Sequence, residues 1–86
     1  MYYVYAISSI VRNYIYVGMT DNHVRRIAQH NKGYERTTIP YKPYKTILIE
    51  EYPDSKAARA REKYLKSGIG KEFLKACISA GLSTDR

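Results

Sequence analysis

From Tyr2 to Ser8 and again from Tyr14 to Met19 the chain is rich in β-branched and aromatic residues, and the two runs flank Ser9-Ile10-Val11-Arg12-Asn13. Such runs around a medium loop predict a β-hairpin. Side chains alternate along a strand, so pairing Tyr5 opposite Tyr16 puts Ile7 across from Tyr14 and Tyr3 across from Gly18, all on one side. Tyr2, Val4, Ala6, Ile15, Val17 and Met19 then share the other side. One face of the hairpin is nearly pure core and the other is a face of tyrosines.

Beyond the hairpin the period changes. Thr20 or Asp21 suits a helix N-cap, and Val24, Ile27 and Ala28 recur at helical spacing up to Asn31-Lys32-Gly33, which predicts a first helix over 21–32. Residues 34–45, with Pro40 and Pro43, show no period and read as a loop. Thr46 to Tyr52 reads as a third strand whose middle is apolar on both faces, the pattern of a central strand. Pro53-Asp54-Ser55 ends it and caps a second helix running to Ser67, with Gly68 as its stop. A third helix runs from Gly70 to Gly81 and carries Phe73, Leu74, Cys77 and Ile78. The expected fold class is α/β, a three-stranded antiparallel sheet flanked by about three helices, in one domain over 1–86.

Composition narrows the function. At 86 residues one small core is the ceiling, and an apolar fraction of 44% excludes a disordered basic tail. The lone Cys77 excludes an internal disulfide and a zinc module. No apolar run approaches the ~20 residues of a membrane span, and the N-terminus lacks the pattern of a secretory signal, so the expected location is cytoplasmic, with no membrane partner. Fifteen Lys and Arg stand against 8 Asp and Glu, a net charge of +7, and ten tyrosines accompany one Phe and no Trp. Basic charge with aromatic faces points to nucleic acid. The plainer alternative is amphipathic strand tyrosines and a charge that serves solubility.

Five positions draw attention chemically: Tyr5 and Tyr16 on one sheet face, Arg26 and His30 one turn apart on the first helix, and Glu62 on the second. On a helical wheel Ala57, Ala60, Tyr64 and Leu65 form an apolar arc, and Glu62 falls about 40° beyond Ala58, on the seam between core and basic surface. Each has a structural alternative: an ion pair of Glu62 with Lys66, a solvated His30, rim tyrosines. Gly68 and Gly70 could cradle a phosphate, or simply end one helix and begin the next.

The ordered string resembles the GIY-YIG nuclease family. Tyr3-Val4-Tyr5 matches its first motif and Tyr16-Val17-Gly18-Met19-Thr20 its second. Arg26-Ile27-Ala28-Gln29-His30-Asn31 is similar to the family's helix with an Arg and then His-Asn, and Ala60-Arg61-Glu62-Lys63-Tyr64-Leu65-Lys66 to the helix bearing its metal-binding Glu. Lys66 to Lys75 is similar to a run in short stand-alone members, which are related to the catalytic domain of an excision-repair nuclease. The sequence departs from the pattern at Tyr3, which replaces a glycine, at Ser8, near the place of a basic residue in repair-type members, and in having no Asn between Gly70 and Arg86.

The resemblance implies a metal-dependent endonuclease that hydrolyses DNA phosphodiester bonds. Tyr5 or Tyr16, with Tyr5 preferred, would act as base, Arg26 would hold the phosphate, and Arg26 and His30 would stabilise a phenolate. Glu62 alone would bind one Mg²⁺ or Mn²⁺. Lys and Arg of the later helices (Arg59, Lys63, Lys66, Lys71, Lys75) would grip DNA backbone, including branched or damaged DNA, and a protein partner would supply specificity. The five site residues should then converge on one concave surface. The alternatives are an inactive nucleic-acid-binding module on the same scaffold and an interaction module of a larger repair complex.

Overall fold

The structure, a computed structural model, describes residues 1–80. Three strands, β1 (Tyr2–Ser9), β2 (Ile15–Thr20) and β3 (Tyr44–Tyr52), form an antiparallel sheet in the order β2-β1-β3. Three helices, α1 (His23–Lys32), α2 (Ser55–Leu65) and α3 (Gly68–Ser79), cover its faces, and a short 3-10 turn spans Ile39–Tyr41. The expected α/β class holds.

The hairpin keeps the predicted division of faces but not the predicted register. Tyr5 lies opposite Gly18, Ile7 opposite Tyr16 and Tyr3 opposite Thr20, two residues from the expected pairing. The strand runs on to Ser9, whose Oγ accepts from the N–H groups of Val11 and Arg12 at 3.2 and 3.0 Å and so tightens the loop. Gly18 explains why this register is favoured: a Cβ there would stand 2.5 Å from Tyr5 Oη, so only glycine leaves room for the phenol.

The central strand is β1, not β3. The apolar middle of β3 has another cause, a bulge. Ala6 pairs with Leu48 and Ile7 with Thr46, so Ile47 is the extra residue, and Ile47 and Leu48 both turn toward the same apolar layer. That layer joins Val4, Ala6, Val17 and Ile47 to Ala58, Leu65 and Leu74 of α2 and α3. On α2 the buried stripe is Ala58, Glu62 and Leu65, while Ala60 and Tyr64, placed on the apolar arc by the wheel, are exposed.

Helix boundaries also shift. Asn22, rather than Thr20 or Asp21, caps α1 by accepting from Arg25 N–H at 3.1 Å, and Thr20 Oγ1 supports it by accepting from Asn22 N–H at 3.1 Å. Gly33, at φ +83°, ends the helix. Asp54 caps α2 as expected. The second helix stops at Leu65, Ser67 caps α3, and Gly68 is the first residue of α3 rather than a stop. Gly70 is buried, and a Cβ on it would overlap the Tyr64 carbonyl oxygen and the Leu65 backbone. It therefore serves the close approach of α3 to α2. The expected end at Gly81 lies outside the described residues.

Candidate active site

The other face of the sheet carries Tyr5, Ile7 and Tyr44, with Tyr14, Tyr16, Ile27, Tyr41 and Ile49 packed around them. Across it lies α1. Of its expected apolar stripe only Ile27 packs inward, since Val24 is 71% exposed, Ala28 is exposed and the one buried residue of the helix is His30. His30 is thus neither solvated nor a surface cation. Nε2 sits 2.9 Å from Tyr5 Oη, and Nδ1 sits 3.0 Å from Thr38 Oγ1. The Tyr16 ring stands 4.7 Å from the imidazole and 6.2 Å from the Tyr5 ring, centroid to centroid.

Arg26 lies one turn back on the same helix. Its guanidinium donates to Gln29 Oε1 at 3.2 Å and to Glu35 Oε2 at 2.5 Å, so it is aimed by an ion pair rather than left free. Glu62 is 9% exposed, and its two oxygens meet Lys66 Nζ at 3.1 Å and Arg59 Nη1 at 3.6 Å. The Lys66 pair is the structural alternative read from the sequence, and it exists. Glu62 makes no hydrogen bond to the tyrosines among the described residues, yet its charge reaches Tyr5. The structure therefore brings Tyr5, Tyr16 and His30 into direct contact, with Arg26 beside them, and connects Glu62 to the group only through its field.

The electrostatics follow burial first. Tyr5 is 1% exposed, and loss of solvent pushes its hydroxyl up to about 12, reinforced by the neighbouring Tyr16 and opposed by Arg26. Burial also holds His30 below the usual imidazole value, and the Arg26 cation adds to that, so the ring is neutral near pH 7. The hydrogen bond to Glu35 raises Arg26, and the same contact holds Glu35 below the usual carboxylate range.

Three further contributors, all in the loop without a period, carry no signal in the sequence. Glu35 aims Arg26, Thr38 bonds His30, and Tyr44 Oη donates to the Thr38 carbonyl at 2.9 Å. No local pattern marks them, because each acts on a partner in another element.

A single carboxylate is a sparse metal site, and no cluster of three or more His, Cys, Asp or Glu side chains suited to a metal exists among the described residues. Glu62 nonetheless fits a hard divalent ion that keeps most of its waters. It is the buried acid here, and its cationic partners, Arg59 and Lys66, are 71% and 54% exposed and so free to swing aside.

The family model of the GIY-YIG catalytic domain matches residues 1–73, a span that contains Tyr5, Tyr16, Arg26, His30 and Glu62. No curated protein matches the chain. Nucleases of this family act on DNA and are generally dependent on a divalent metal. With a match over most of its length, and with the three-stranded sheet and flanking helices described above, the chain belongs to the GIY-YIG family.

Proposed function

We propose that this protein is an active, metal-dependent DNA endonuclease in which Tyr16 is the base. The observation that carries the reading is the contrast between the two tyrosines around His30. Tyr5 is sealed, its hydroxyl committed to the imidazole. Tyr16 is half-buried, touches the same imidazole, and lines an open cleft with Tyr14, Lys66 and Lys71. A base must meet water and a phosphate, so the burial of Tyr5 moves the role preferred for it from sequence to Tyr16.

In hydrolysis a water loses a proton to the Tyr16 phenolate as its oxygen bonds to phosphorus. The bond from phosphorus to one ester oxygen breaks, that oxygen takes up a proton from solvent, and Tyr16 returns its own proton to solvent, which restores the phenolate. Arg26 holds the phosphate through a planar fork, for which Glu35 is the resting partner. Glu62 would hold Mg²⁺ or Mn²⁺, whose chemistry there is neutralisation of phosphate charge. Lys66 and Lys71, continuing to Lys75 and Asn13 in an adjoining depression, offer a basic track for the DNA backbone beside β2.

Single-turnover cleavage of duplex, flap, junction and single-stranded DNA, with and without Mg²⁺ or Mn²⁺, tests the reading. Glu62→Gln should abolish metal-dependent cleavage while DNA affinity stays similar or rises. Tyr16→Phe should slow cleavage by about 10²–10⁴-fold. Wild-type-like rates in Tyr16→Phe would remove it from the mechanism. A wild type that binds DNA with a steep salt dependence and cuts nothing would establish the inactive binding module instead.

A further inference from the structure

The turn after α1 acts on the site twice. Glu35 gives its carboxylate to Arg26, and its backbone carbonyl receives Thr38 Oγ1 at 3.1 Å together with the N–H groups of Thr38 and Ile39 at 3.0 and 3.1 Å. Thr38 is fully buried, and Tyr44 Oη pins its carbonyl to β3. The turn is therefore fixed relative to both the helix and the sheet.

The hydrogens along this contact set a direction. A threonine hydroxyl has one proton, and that of Thr38 goes to the Glu35 carbonyl, which only accepts. Oγ1 then has only lone pairs for His30 Nδ1 at 3.0 Å, so Nδ1 carries the imidazole hydrogen. The buried ring is neutral, which leaves Nε2 bare, and Nε2 must accept from Tyr5 Oη at 2.9 Å. Three successive bonds run one way, from Tyr5 through His30 and Thr38 to the Glu35 carbonyl. At the outer end the Tyr5 oxygen has turned its proton inward and keeps lone pairs that the charge of Arg26 favours.

We propose that Thr38 is a positioning residue: by accepting from His30 Nδ1 it fixes the imidazole tautomer, and so makes the Tyr5 oxygen a hydrogen-bond acceptor on the floor of the site. In the opposite tautomer Nε2–H would point at Tyr5, whose own proton would turn toward a guanidinium that can only donate. The Arg26 cation would then face a hydroxyl proton in place of lone pairs. The catalytic half of this inference rests on the nuclease reading above, whereas the tautomer does not.

The test is ¹⁵N NMR of the two histidine side chains in the free protein near pH 8, with His23 assigned by His23→Gln, beside single-turnover cleavage. Wild type should hold hydrogen on His30 Nδ1. Thr38→Val, which keeps the shape and removes the hydroxyl, should move hydrogen to Nε2 and slow cleavage by about 10- to 100-fold, and Thr38→Ser should restore both. Hydrogen on Nε2 in wild type, an unchanged tautomer in Thr38→Val, or a changed tautomer with an unchanged rate would each overturn the proposal. If Thr38→Val fails to fold, wild type and Thr38→Ser still decide it, since both must show the Nδ1–H form. Because the tautomer is read without DNA or metal, failure of wild type to cut would overturn the nuclease reading separately.

Discussion

On the side of the sheet toward α2 and α3, Val4, Ala6 and Val17 meet Ala58, Leu65 and Leu74 through aliphatic surface alone. On the side toward α1, the buried groups include Tyr5, Ile7, Ser9, Tyr44, His30 and Thr38, and all but Ile7 carry a polar atom that is hydrogen-bonded. No buried side-chain polar atom lacks a partner among the described residues. The two faces share the same three strands, so the difference lies in what the alternating residues bring. Apolar contact has no direction and rewards only filled volume. A hydrogen-bonded chain has direction and fixes where each atom points. Stability and placement are thus divided between two sides of β1, and each side fails in its own way.

The largest effect should come from the dry side. Leu74→Ala removes a fully buried side chain and should cost about 2–5 kcal/mol, a large share of the roughly 5–15 kcal/mol typical of a domain. Urea unfolding would measure it, and the loss should be the same at pH 6 and pH 8. A cost under about 1 kcal/mol would mean that α3 is not part of the core.

A smaller loss of a different kind is expected on the polar side. Gly18→Ala puts a Cβ 2.5 Å from Tyr5 Oη and 2.7 Å from Cζ, so the phenol must shift and its bond to His30 must stretch. Overpacking of this sort costs about 1–3 kcal/mol. Combining it with Tyr5→Phe should be less than additive, because the displaced hydroxyl is already gone. Strict additivity in that double-mutant cycle would show that Gly18 and Tyr5 do not touch.

The same contrast explains what the sequence could reveal. Alternation assigns Tyr5 and Tyr16 to one face and Val4, Ala6 and Val17 to the other, because parity is local. It does not set register, since a slip of two residues keeps every side chain on its own face. Choosing Gly18 as the partner of Tyr5 requires knowing that the phenol lies close against that backbone. The apolar run Ile47-Leu48-Ile49 suggested a central strand because a bulge and a doubly covered edge leave the same trace. His30, Arg26 and Glu62 stood out by type and spacing. Their supports Glu35, Thr38 and Tyr44 did not, because each acts across the chain: Thr38 is eight positions from His30 in sequence and 3.0 Å from it in space.

The smallest effect, and the one that separates the faces most cleanly, is the shape of stability against pH. Burial holds His30 below its ordinary value, so its contribution is complete above about pH 6.5. As pH falls below that, the unfolded chain takes up a proton that folded His30 refuses, and stability declines until His30 is itself protonated. Glu35, lowered by Arg26, adds a weaker loss further into acid, as half-exposed ion pairs are well screened. At the alkaline end Tyr5 and Tyr44 are each pushed up to about 12, so folding loses stability as pH rises from about 10, where unfolded tyrosines ionise, toward 12. The acid limb and the largest alkaline shifts belong to the polar face. Leu74→Ala should therefore lower the whole curve of urea midpoint against pH without changing its form, and Tyr5→Phe should flatten the alkaline limb in addition to lowering the plateau. A wild-type midpoint that stays level between pH 7 and pH 5 would place His30 in water, and would break the division between a face that holds the fold and a face that aims the site.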